Sequence, residues 1–317
     1  MRFFCFFLVS FLCFSCQKEE SYYKKIKDIH HPTIEDYRMI QKHLKKDKRK
    51  YLKECTKSCR PGGMLFNYGK KSREFRLIGK TDEEMPSSGK ICYQCDEDAR
   101  ECCIICYASF NQKYPQGIER IQKALKQIGF RGHFFYKKGG FANLEGDGLT
   151  LAHIPYAFKP CFFREVKNLG YKYVLWLDSS MAPLRSLDWI FEKIKDKGYF
   201  GYQTMGHPLD QYANPYILRI FQVSAEEAKN IPTVETGVIG LDLSSEIGNK
   251  LLDQWEEAAR IGGFFSSRPD QNSFSLIAYK LQLRDFDDAL PTRPWTRENL
   301  SDQALLFIDH SMEYQPF

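Results

Sequence analysis

A chain of 317 residues, 43% hydrophobic and 15% aromatic, has apolar content for one large domain with additions or two modest ones, which excludes a disordered chain. Its net charge of +6 is local: residues 42–60 hold nine Lys or Arg against Asp47 and Glu54, an excess of seven, and the remainder is near neutral. No basic fold signature with interleaved aromatics accompanies this run, so a solvated helix face or attraction to anionic head groups or glycans is expected, and no nucleic-acid partner.

Residues 1–16, "MRFFCFFLVSFLCFSC", join Arg2 to an apolar run shorter than the ~20 residues of a spanning helix. The run suits a secretory leader. Its end, "FSC" followed by "QKEES", resembles a bacterial lipoprotein signal. That implies an exported chain held at a membrane by lipidation of Cys16, with a secreted or periplasmic protein as the alternative. Cys13 stands where such signals usually carry Leu.

Residues 17–98 read as an appended, Cys-containing N-terminal region. Thr33, as N-cap, and Asp36 open a helix whose apolar stripe runs through Ile34, Tyr37, Leu44 and Tyr51 and is narrow, so it docks by one thin face. Residues 64–79 offer a hairpin. The pairs Cys55/Cys59 and Cys92/Cys95 fit a four-thiolate zinc site in a reducing compartment and disulfides in an exported protein, and the leader favours disulfides.

From residue 99 to 285 the pattern alternates. "CCIICYAS" is a buried strand in which Cys102, Ile104 and Cys106 face one side and Cys103 and Ile105 the other, as small core residues. A helix with Pro115 in its first turn and Gly129 at its end follows, then the strand "GHFFYKK", a helix ending at Gly170 and the strand "YKYVLWLD". The helix "LRSLDWIFEKIKDKG", the strands "YFGYQT" and "TGVIGLDL", and two more helices complete the domain, and residues 286–317 form a tail. The alternation predicts an α/β fold with a mostly parallel central sheet flanked by helices.

In such a sheet, ligands bind beyond the carboxyl ends of the strands, which is where "VLWLD" delivers Asp178. A helix-capping role suits Ser180 or Ser186 better, because Pro183 and Leu184 postpone the next helix.

The stretch "IPYAFKPCFFREVKNLGYKYVLWLDSS", with "ETGVIGLDL" and "RPDQNSF" following in order, resembles nucleotide-sugar glycosyltransferases of the GT-A fold, a Rossmann-related architecture. The resemblance covers residues 100–285 and implies a nucleotide-sugar donor and a glycan, lipid or protein acceptor. It places Asp178 first and Ser180 third in a degenerate DxD motif. It implies donor contacts from Lys159, Thr236 and Gly237, and catalytic roles for Glu235, Asp270 and Gln271. Asp270 also suits a helix N-cap, and His153 is a candidate nucleotide contact. A divalent cation, Mn2+ or Mg2+, would be held by Asp178 with His310 as a further ligand. Ser180 supplies a hydroxyl where a second carboxylate belongs, so either the donor diphosphate completes the shell or the reaction runs without metal. The alternative is a non-catalytic surface lipoprotein that uses this fold to bind glycan or a protein partner.

Overall fold

The computed structural model describes residues 29, 32–42, 76–79, 85–95, 101–110, 113–142, 149–152, 154–264, 266, 268–286, 292–294 and 305–309, the side chains of 204–207 and 292–294 excepted. Cys16, Cys55, Cys59, His153, His310 and the hairpin segment 64–75 lie outside them.

Alternating apolar residues build the centre of the molecule. Strands β1 (Ser87–Tyr93), β2 (Cys102–Ala108), β3 (Gly132–Lys138), β4 (Tyr173–Leu177), β6 (Tyr199–Phe200) and β9 (Val238–Asp242) form a six-stranded sheet in the order β1-β3-β2-β4-β9-β6. The pairs β2/β3 and β2/β4 are parallel, while β1/β3, β4/β9 and β6/β9 are antiparallel. Strand β6 therefore runs with β4, and four of the six strands share one direction. The fold is α/β, with a mostly parallel sheet at its centre.

Every strand of the sheet but the edge strand β1 serves two cores. In β4, Val174 and Trp176 face one cluster while Leu175 and Leu177 face the other. Helices α3 (Phe158–Asn168) and α7 (Glu246–Arg260) cover the first face with Phe162, Phe163, Leu251 and Trp255. Helices α2 (Tyr114–Gln127) and α4 (Asp188–Lys197) cover the second with Ile118, Ile121, Ile190 and Ile194. Burial on both faces is what permits near-continuous apolar strands. The free thiols of Cys103, Cys106 and Cys161 are wholly buried, and burial pushes all three above the ordinary thiol range, so they serve as inert core.

The expected first helix is present as α1 (34–42). Thr33 and Asp36 cap it reciprocally, the Asp36 carboxylate accepting from the Thr33 N–H and the Thr33 hydroxyl from the Asp36 N–H. Tyr37 and Ile40 dock it on the core. No helix among the described residues is long and apolar enough to cross a membrane.

Three features depart from the sequence reading. Strand β1, expected within the appended region, is an edge of the central sheet. "YFGYQT" divides at Gly201: β6 joins the main sheet, and β7 (Gln203–Pro208) pairs with β8 (Pro232–Val234). Residues of the expected tail form β10 (Thr292–Pro294) and β11 (Leu306–Ile308), which join β5 (Met181–Pro183) in a small sheet beside the end of β4. The short helices α5 (Pro215–Ile220) and α6 (Ala225–Ala228) precede β8, and α8 (Pro269–Lys280) closes the first face.

Candidate functional site

Strand β4 ends at Leu177, and Asp178 follows at the carboxyl end of the parallel strands, its side chain 35% exposed. Its direction is fixed by two donors: the Trp176 indole N–H at 2.7 Å and the Lys159 ammonium at 3.1 Å, both on Oδ1. Trp176 is buried among Phe158, Phe162 and Phe163, so the aromatic core behind the strand orients the carboxylate in front of it. Its Oδ2 faces the turn at Gly237. A Cβ on Gly237 would overlap the Met181 methyl and would lie 3.5 Å from Asp178 Oδ2 and 3.6 Å from Glu235 Oε1. Glycine there lets two acidic side chains flank one backbone position.

Lys159 does not face the crevice. It lies in the first turn of α3 with a side chain 2% exposed, and its Nζ reaches Asp270 Oδ2 at 2.6 Å, the Thr236 carbonyl at 2.9 Å and Asp178. Burial acts to lower its pKa, but the two carboxylates outweigh burial and raise it, so the ammonium is charged throughout the neutral range. Lys159 joins α3, the end of β4, the 236–237 turn and α8 through a single charge.

Asp270 lies inside the first turn of α8, where Arg268 is the N-cap and no side chain caps the helix. The expected capping role is not taken. Its carboxylate accepts from Lys159 and from the Thr236 hydroxyl at 2.7 Å, while its carbonyl accepts from the Trp255 indole at 3.2 Å. Helix α8 is buried along Pro269–Ala278, so its polar residues need internal partners: Ser273 donates to the Gly263 carbonyl, and the Ser275 hydroxyl accepts from the Val234 N–H.

Glu235 precedes the Gly237 turn and is partly buried. Burial raises its pKa above the ordinary carboxylate value, and the neighbouring Asp178 raises it further. The Gln271 amide lies 3.5 Å from its Oε2 and accepts in turn from Arg268 at 3.4 Å. Arg268 stacks over Tyr212 at 4.2 Å. A carboxyl with a raised pKa, an amide and a guanidinium thus stand in one chain of contacts.

Ser180 is 3% exposed, and its carbonyl accepts from the Asp309 N–H at 2.8 Å. Behind it, α2 presses on the corner: Gly117 packs directly on the Ser179 carbonyl, and Arg120, 2% exposed, donates to that carbonyl and pairs with Asp309 at 3.3 Å. Ser180 and Thr236 are thus both buried, and the Thr236 hydroxyl is taken by Asp270. Sequence reasoning missed Arg120, Trp176, Arg268 and Asp309. The indole two residues before Asp178 was a readable signal, whereas the others become neighbours only through long-range packing.

The described residues do not fit the expected divalent-cation site. Asp178 Oδ1 and Asp270 Oδ2 are joined by an ammonium, and Ser180 is withdrawn into the small sheet. The metal-ligand cluster found among the described residues is Cys92, Cys95 and His133, elsewhere in the fold. Cys92 and Cys95 are joined as a disulfide, with Cα atoms 6.0 Å apart.

No protein-family model matches the chain, and no curated protein does. Similar solved structures include a glycosyltransferase involved in glycosylation of the major capsid of PBCV-1, with 12% identity over 65% of this chain and 94% of that one, at a TM-score of 0.41. Mouse xyloside xylosyltransferase 1 is similar at 11% identity over 69% and 88% of the two chains, with a TM-score of 0.36. These likenesses are remote, and the functional reading rests on the geometry of the crevice.

Proposed function

We propose that the chain is a glycosyltransferase of the GT-A kind, moving a sugar from a nucleotide-diphosphate donor to a hydroxyl of a glycan, lipid or protein acceptor. The observation that carries this reading is the convergence of Asp178, Glu235 and the Asp270–Gln271 helix start, from three separate segments, at the carboxyl end of the parallel strands. In the transfer, the acceptor oxygen bonds to the anomeric carbon as the bond from that carbon to the diphosphate breaks. The electron pair leaves with the diphosphate. Glu235, whose carboxyl burial and the neighbouring Asp178 hold above its ordinary value, takes the acceptor proton. Gln271 hydrogen-bonds sugar hydroxyls. Asp178, its Oδ1 held by Lys159 and Trp176, hydrogen-bonds sugar hydroxyls as well, and Arg268 supplies the positive charge for the leaving group. Within the same proposal, the leader exports the chain and lipidation of Cys16 holds it at a membrane.

Thermal unfolding of the full chain with UDP, GDP, CMP and dTDP sugars, each with Mn2+ and with chelator, tests the reading. One nucleotide class should raise the melting temperature by several degrees, since binding at a hundredfold excess over Kd contributes about 2.7 kcal/mol. The shift should persist in chelator, because an ammonium joins the carboxylates, and Asp178→Asn should abolish sugar turnover with the fold intact. No shift with any nucleotide would sink the proposal in favour of the binding lipoprotein.

A further inference from the structure

At the opposite end of the sheet from Asp178, the start of β3 meets the end of β1. Cys92 and His133 are direct partners in this antiparallel pair, so their side chains share a face. Gln94, at φ 49°, turns the chain back after β1 and brings Cys95 over the same spot. One ligand atom from each of Cys92, Cys95 and His133 lies within 4.8 Å of the other two. A tetrahedral zinc ion with ordinary Zn–S and Zn–N lengths sets its ligand atoms about 3.6–3.8 Å apart, which this cluster reaches with small side-chain rotations.

The imidazole is prepared for such a role. His133 is wholly buried, and its Nδ1 lies 2.9 Å from the Tyr171 hydroxyl, with the two rings edge to face. A hydrogen bond on one ring nitrogen is the arrangement that fixes a ligating histidine. Cys92 and Cys95 are partly exposed, so metal and reductant reach them from solvent.

We infer that Cys92, Cys95 and His133 form a redox-gated zinc site, in which the dithiol form binds Zn2+ and the disulfide form does not. A dithiol reductant passes two electrons and two protons to the Cys92–Cys95 disulfide and itself becomes a disulfide. Zn2+ then displaces the two thiol protons, and the resulting thiolates and His133 hold it. Disulfide bonding and zinc binding are thus two states of one pair, and the metal ties the edge strand β1 to β3.

The full chain, reduced with a phosphine and freed of metal, should take up one Zn2+ in competition with a chromophoric chelator, and the oxidised chain none. Cys92→Ser and His133→Gln should each weaken uptake at least tenfold, and the double variant Cys55→Ser/Cys59→Ser should leave it unchanged. Substituted Co2+ should give tetrahedral bands with thiolate charge-transfer intensity for two sulfurs, a readout that needs no variant. Absence of uptake by the reduced chain, intensity for four sulfurs, or loss of binding in the Cys55/Cys59 variant would overturn the assignment.

Discussion

Replacing Lys159 with methionine keeps most of the side chain's bulk and removes its charge. Asp270, whose side chain is 6% exposed, would lose the ammonium at 2.6 Å and keep only the Thr236 hydroxyl on that oxygen. Leaving one member of a buried ion pair uncompensated costs about 3–5 kcal/mol. Asp178 adds little to this, because its side chain is 35% exposed and solvent screens it. Urea unfolding of Lys159→Met should therefore show a loss of about 3–5 kcal/mol, and Lys159→Met/Asp270→Asn should recover most of it, since removing both charges leaves no orphan. Additive losses in the double variant, or a single-variant loss below about 1 kcal/mol, would refute the coupling. Nucleoside diphosphate binding adds a second readout. If Lys159 is a scaffold, the double variant regains binding along with stability, whereas a direct diphosphate contact would leave binding lost in a stable protein.

The Glu235 carboxyl is held above its ordinary value of 4.5 by burial and then by Asp178, so the folded chain grips its proton more tightly than the unfolded chain does. Stability from this group is present at low pH and is lost as pH rises from the unfolded value through the raised folded one. Glu235→Gln should accordingly be more stable than the parent at neutral pH, with the difference vanishing below about pH 4, while turnover and its acid limb disappear. A variant with parental turnover would remove Glu235 from the base role. The Tyr37 hydroxyl accepts from the Phe141 N–H at 3.2 Å, and burial pushes its pKa up to about 12. Tyr37→Phe leaves that buried N–H unpaired, and denaturant unfolding should register a loss of about 1–3 kcal/mol. An unchanged midpoint would mean that α1 docks by Ile40 and ring packing alone.

Much of the architecture was legible because it follows from local physics. The alternation in "CCIICYA" and "YVLWL" gives period-two strands buried on both faces, and the Thr33–Asp36 pair marks a helix start from side chains three residues apart. The position of Asp178 was likewise readable, since an apolar strand that ends on a carboxylate has one place to put it. The direction of β9 was not readable: "VIGLD" has the same apolar character whether it pairs parallel or antiparallel with β4, and its connection decides. The recruitment of β1 and β11 was hidden for a similar reason, because both take their register from partners far along the chain.

By itself, then, the sequence determined the class of fold, the two-faced core and the strand end where Asp178 stands, each set by periodicity over a few residues. Tertiary structure alone decided what the charges do. Lys159 reads as a donor contact until α8 delivers Asp270 to it, and nothing local marks Arg120 until a residue 189 positions later closes over it. A buried charge is tolerable only with its counter-charge beside it, and that partner is supplied by packing between distant segments, which no local pattern encodes.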